Sequence, residues 1–123
     1  AELRLLADPQ GMYSSPGTIN GQGVDFVIDT GATSVALSQQ QAAQLGIDYQ
    51  RDGRPGRAIT AAGPVPAWRV QLAEVSLGSI RIRNVDASVL AGDHPQQPLL
   101  GMSFLGRTEM HQNGGLLVLR HRR

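Results

Sequence analysis

Apolar and polar residues alternate with a period of two over much of this chain, in short runs separated by glycine, proline and asparagine. The cleanest instance spans Ala73–Leu90, where Val75, Leu77, Ile80 and Ile82 stand against Arg81 and Arg83. That spacing predicts a half-buried hairpin turning at Gly78 and Ser79. Further strands are expected over Glu2–Leu6, Met12–Ile19, Val24–Ile28 and Ser34–Ser38. Two more lie within Arg57–Leu72, joined by a small tip at Ala61–Gly63. The Asn-Gly-Gln-Gly run, Asn20–Gly23, is a hairpin turn signal, and Gln112–His121 predicts a final hairpin or strand. A helical signature occurs once: Ser38 with Gln41 three residues on forms a capping box, and one short helix from there closes at Gly46. Asp8–Gly11, Asp48–Gly56 and Ala91–Pro98 are expected to be turns or loops, and Leu99–Gly106 an apolar segment interrupted by glycine. The pattern predicts a mostly-β single domain over residues 1–123, a closed or barrel-like sheet with one short helix.

Composition narrows the picture. With 123 residues there is room for one core, and an aromatic content of 4% means that aliphatic side chains must fill it. Fifteen glycines and seven prolines favour turns and short strands over long helices. A net charge of +1 argues against a nucleic acid or a membrane surface held by bulk charge, and the basic end Arg120–Arg123 is expected to be a solvated tail. No cysteine is present, so thiol chemistry is excluded. No apolar run reaches the ~18–20 residues of a membrane-spanning helix. The chain opens on Ala1, consistent with a processed product or a fragment of something longer. His94, His111 and His121 lack metal-ligand spacing, no G-x-S-x-G elbow occurs, and no phosphate or dinucleotide fingerprint is present. The pattern therefore calls for no metal and no cofactor, and His94 and His111 are expected to be exposed loop residues.

One carboxylate stands out. Val24, Phe26, Val27 and Ile28 promise a strand covered on both faces, and it runs directly into Asp29, Thr30, Gly31, Ala32 and Thr33. A charge carried to the end of such a strand is costly unless paired, hydrogen-bonded or used. One reading is a turn cap, with Asp29 accepting from the backbone N–H of Gly31 or Ala32. The other is a reactive acid, held by the flanking hydroxyls and backed by the apolar-glycine run from Pro98 to Leu105.

The stretch Val24–Ser38 resembles the active-site segment of retropepsin-like aspartic proteases, an apolar run followed by Asp-Thr-Gly-Ala. Leu99–Met102 resembles their second signature, and Thr60–Gly63 falls where that family carries its flap hairpin. The likeness covers roughly residues 12 to 119 and points to bacterial single-domain members. It implies a retropepsin-like (half-pepsin) closed β-barrel and an aspartic endopeptidase. It also implies roles for individual residues: Asp29 as the catalytic acid, Thr30 bonding the partner loop at a twofold axis, and Gly31 offering its N–H to the carboxylate. Ala32 would line the site, and Thr60, Ala61, Ala62 and Gly63 would close over an extended peptide. Leu99, Leu100 and Gly101 would support the loop from beneath. In the retroviral enzymes the chain ends interleave into a dimer sheet, and the ends here have the composition to pair. Resemblance to anchored bacterial members implies a periplasmic or membrane-tethered setting through a segment outside this chain.

Peptide hydrolysis by this route needs two carboxylates sharing one proton. Asp25, four residues earlier on the same strand, is about 13 Å from Asp29 at ~3.3 Å per residue. Asp8, Asp48, Asp52, Asp86 and Asp93 lack the Asp-Thr-Gly turn. The site would therefore be built from Asp29 of two copies in a C₂ homodimer acting on a peptide or protein substrate. A non-catalytic module that keeps the fold for peptide binding or dimerisation is the alternative. Trp68 is expected to pack at the base of the flap.

Overall fold

The structure of the protein, a computed structural model, describes residues 2–122. Ten strands and three short helices follow in the order β1 (Glu2–Leu6), β2 (Ser14–Ile19), β3 (Gln22–Ile28), β4 (Val35–Ser38), α1 (Gln39–Gln44), α2 (Tyr49–Asp52), β5 (Arg54–Thr60), β6 (Gly63–Leu77), β7 (Ile80–Leu90), β8 (Leu99–Leu100), α3 (Met102–Leu105), β9 (Thr108–Asn113) and β10 (Leu116–His121). Seven strands form a sheet in the order β2-β3-β8-β4-β7-β6-β5, and a further β2–β6 pairing closes six of them into a ring. The seventh, β5, is an edge strand outside the ring. The expected closed, mostly-β architecture is found.

Local chemistry accounts for the joints. Asn20 and Gly21 both have positive φ, at 51° and 82°, the combination a two-residue hairpin needs to match strand twist. The Asn20 side chain also accepts from Glu74 N at 3.1 Å, tying this turn to β6. Both arms of the capping box are present: Ser38 Oγ accepts from Gln41 N at 3.1 Å, and Gln41 Oε1 from Ser38 N at 2.8 Å.

The long β6–β7 hairpin changes buried face halfway. Val70 and Leu72 point inward on one half of β6, Val75 and Leu77 on the other; the opposing strand switches from Ile82 to Val85. Asn84, with φ of 57°, sits at the switch. One hairpin thereby serves two packing layers. Between them lies a core of Phe26, Phe104, Leu37, Leu72, Leu77, Leu100 and Leu105, each almost fully buried.

Several expectations are corrected. The single short helix is three. Asp48–Gly56 is not loop: the Asp48 side chain accepts from Arg51 N at 3.2 Å and caps α2. β5 then begins at Arg54, because an edge strand tolerates Pro55. His111 is exposed but lies on β9 rather than in a loop. The apolar Leu99–Gly106 segment resolves into the two-residue β8 and one helical turn, α3.

The chain ends pair with each other in the same molecule. A separate three-stranded sheet runs β1-β10-β9, with Glu2 directly opposite Arg120. Leu117 and Leu119 of β10 are buried, while Arg120 and His121 are exposed as expected but belong to a strand rather than to a tail; Arg123 lies outside the described residues. Glu2 accepts from Arg120 Nε at 2.9 Å and from Arg4 Nη1 at 3.0 Å. The Arg120 guanidinium, with Arg4 behind it, holds the Glu2 carboxyl below its ordinary value of 4.5. A depressed folded-state value stabilises the fold at pH above the ordinary one and loses that contribution as pH falls through the folded one. Glu2→Gln is therefore expected to melt slightly below the wild type at pH 7, with the gap narrowing as the pH is lowered to ~3 and the carboxyl takes up its proton. Paired thermal melts at the two pH values check this.

Candidate active site

The site is organised by β8. This two-residue strand runs parallel to β3, with Val27 opposite Leu99 and Ile28 opposite Leu100, and touches β4 on its other side through Ala36 and Leu99. Asp29 N donates to Leu100 O at 3.0 Å, which fixes the residue where the strand ends. Beyond it the chain folds back on itself: Ala32 N donates to Asp29 O at 3.1 Å. Asp29 Oδ1 accepts from Gly31 N at 2.9 Å. The loop is then clamped from below, with Met102 N donating to Ala32 O at 2.8 Å and Ser103 N to Thr33 O at 3.0 Å.

Gly101 is where this packing is tightest. A Cβ there would lie 2.7 Å from Ala32 O and closer still to Ser34 O. Real Cβ atoms do not approach backbone oxygen so closely, so only glycine lets the segment lie this near the Asp29 loop. Leu99 is half-buried and Leu100 fully buried.

Asp29 itself is half-buried, while Thr30 and Gly31 are exposed. The apolar strand thus delivers the carboxylate to a surface rather than into the core. It opens on a cleft of about 990 Å³ between the loop and the β5–β6 hairpin. Asp29, Gly31, Ala32, Thr60, Ala61 and Leu99 line this cleft together. Ala62 and Gly63 form the hairpin tip and Gly101 lies under the loop; none of the three lines it. Thr30 faces a neighbouring hollow of about 340 Å³, shared with Asp29, Met12, Tyr13, Met110 and Gln112.

The hairpin tip is fastened by its own threonine. Thr60 Oγ1 donates to Gly63 O at 2.7 Å and accepts from Ala62 N at 3.2 Å, and Gly63 takes a φ of 104°. At the base, Trp68 packs on Tyr49 with ring centroids 4.9 Å apart and a 60° tilt, in the position expected for it. Ile59, near the tip, is 83% exposed in a strand otherwise poor in large apolar groups.

Residues that the motifs did not single out also line the cleft: Arg54, Arg57, Ala67, Arg69, Ser88, Leu90 and His94. Several were within reach of the sequence. Once the tip is set at Ala61–Ala62, hairpin register alone places Arg54 opposite Arg69, as observed.

The family model for "gag-polyprotein putative aspartyl protease" matches residues 15–107. The chain belongs to the retropepsin-like aspartic protease family. A solved retropepsin-like aspartic protease from Rickettsia conorii superposes with a TM-score of 0.85 at 28% identity, over 98% of this chain and 91% of that one. An "uncharacterized protein in cobV 5′ region" of a Sinorhizobium species is 37% identical over 111 residues, 90% of this chain and 48% of the relative. An uncharacterized protein of Rickettsia prowazekii (strain Madrid E) is 29% identical over 106 residues, 86% of this chain and 45% of that protein. The chain spans about half the length of these two relatives.

Gly101→Ala is expected to cost about 3 kcal/mol or more, since the added methyl meets backbone rather than a movable side chain. Gly23→Ala, where a Cβ meets nothing within 4 Å, is the control and should melt within a degree or two of the wild type. Chemical denaturation and thermal melts of both variants check this.

Proposed function

We propose that two copies of this retropepsin-like chain form an aspartic endopeptidase in which Asp29 of each copy supplies one carboxylate of the reacting pair. The observation that carries the reading is the hold on Asp29: a carboxylate fixed by the Gly31 N–H at the rim of a cleft roofed by a hairpin. One Asp29, ionised, takes a proton from water as that water attacks the scissile carbonyl carbon; the other, protonated, donates to the carbonyl oxygen. Collapse of the tetrahedral diol then breaks the C–N bond, with the proton passed to the leaving amine.

Each residue of the loop has a part in this reading. Gly31 holds the carboxylate oxygen and permits close approach. Thr30, exposed beside Asp29, meets its counterpart across the twofold axis. Ala32 bounds the floor, while Thr60 and Ala61, carried on β5–β6 with Ala62 and Gly63 at the tip, cover an extended peptide and exclude water. Leu99, Leu100 and Gly101 are positioning residues.

Two exposed apolar side chains support self-association. Met12, 47% exposed, borders the hollow that holds Thr30, and Leu6, 79% exposed, ends the edge strand β1. A C₂ interface around the hollow would bring the two Thr30 loops together and cover Met12.

Asp29→Asn is expected to abolish cleavage of a mixed peptide library, a drop of at least ~10³-fold, while leaving the melting curve near that of the wild type; mass-spectrometric detection of fragments checks it. Retained cleavage in that variant would refute the reading. Wild-type activity should also trace a bell against pH, falling at low pH when both carboxyls are protonated and at high pH when both are ionised. A library left uncut by the wild type, yet bound saturably, would favour the non-catalytic module instead.

A further inference from the structure

One end of the cleft carries two arginines. Arg54 on β5 and Arg69 on β6 are directly opposite in the hairpin, and both are exposed. Like charges placed across a strand pair repel each other. No carboxylate of the described residues lies within 4.0 Å of either guanidinium. The same register continues across the sheet, from Arg69 to Ser88, from Ser88 to Ala36, and from Ala36 to Leu99 beside the Asp29 strand.

A second cavity of about 690 Å³ adjoins the cleft, and the residues common to both are Thr33, Ser34, Arg54, Arg69 and Ser88. The junction therefore offers two cations and three hydroxyls and no acid. The hydroxyls of Ser34 and Ser88 are 3.3 Å apart. Two aspartates border the second cavity alone: Asp52, whose carboxylate oxygens are both engaged by Arg51, and Asp86. Within the cleft itself Arg57 adds a third cation, and Asp29 is the single carboxylate among its lining residues.

From these observations, and resting on the peptidase reading above, we propose that Arg54 and Arg69, with Ser34 and Ser88 beside them, form a subsite for acidic side chains of the substrate. Sheet spacing sets where it acts. At ~4.8 Å per strand, Arg69 lies roughly 14 Å from Leu99 and Arg54 roughly 19 Å. Allowing for the reach of a guanidinium, an extended peptide at ~3.3 Å per residue presents its third to fifth residue from the scissile bond. In a twofold dimer the subsite occurs twice, so acidic residues are selected on both sides of the cut. Arginine suits the task because its planar fork takes a carboxylate through two parallel N–H bonds.

The test uses two fluorescein-labelled, amide-ended peptides, Glu-Glu-Glu-Ala-Leu-Leu-Ala-Glu-Glu-Glu and its counterpart with Gln in place of every Glu. Binding is measured by anisotropy to the uncleaving Asp29→Asn chain, with and without Arg54→Gln and Arg69→Gln together. The Glu peptide is expected to bind about tenfold tighter at low salt, from several exposed ion pairs of modest strength each. The preference should shrink toward one in about 1 M salt, and in the double arginine variant. That variant should melt no lower than its parent, since it removes a repulsion and no bond. Equal binding of the two peptides, a Glu preference that survives loss of both arginines, or no binding of either peptide overturns the subsite. Cleavage by the chain with Asp29 intact is scored separately. Arginine-dependent binding without cleavage leaves the subsite standing and removes the peptidase, while cleavage of both peptides at equal kcat/KM does the reverse.

Discussion

The fit of Gly101 beneath the Asp29 loop is the constraint from which the rest of the site follows. A two-residue strand could not hold its place between β3 and β4 by its own ladder bonds. It is held because the backbone at Gly101 lies against the carbonyls of Ala32 and Ser34 with no room for a methyl group. The bonds from Met102 and Ser103 to Ala32 and Thr33, and from Asp29 to Leu100, then close around that contact. Six residues of loop, which elsewhere would be mobile, become as fixed as the strands they join. In the proposed dimer this rigidity has a chemical purpose, because a carboxylate that acts across an axis must be placed to within a fraction of an ångström.

The remainder of the molecule divides into a part that holds this loop and a part that encloses the cleft. The ring of β2, β3, β8, β4, β7 and β6 supplies the support, packed on aliphatic side chains and two phenylalanines. β5, outside the ring, carries the hairpin that roofs the cleft, and Trp68 against Tyr49 anchors it at the base. Because β5 is an edge strand, it can carry Pro55, whose missing N–H would break a ladder bond in a central strand, and it presents Ile59 to solvent. The opposed Arg54 and Arg69 sit on this strand and its neighbour, where stability is given up and ligand charge can restore it.

The motif itself was legible because it is local. Asp29–Gly31 follows its strand within a few residues, and an apolar strand ending in Asp-Thr-Gly has few structural solutions. Gly101 was readable as a partner from the apolar pair before it, although nothing in the sequence reveals that Ser34 O is the atom it must clear. Asp48–Gly56 was misread for two physical reasons. A single capping aspartate suffices for the one-turn α2, which has no periodicity to detect, and proline is compatible with an edge strand although it argues against a central one. Stopping the strand at Arg57 hid Arg54 from the hairpin register. Nor does alternation tell where a strand emerges: the apolar run to Ile28 delivers Asp29 half-buried at the rim of the cleft.

The account turns on the Asp29 of one chain meeting the Asp29 of another. The most direct measurement is a crystal structure of the protein bound to a peptide whose scissile carbonyl is replaced by a hydroxyl-bearing carbon. The account predicts two chains related by a twofold axis, with an Asp29 carboxylate from each within hydrogen-bonding distance of that one hydroxyl. A single chain holding the peptide, or a dimer whose two Asp29 side chains face away from each other, would contradict it.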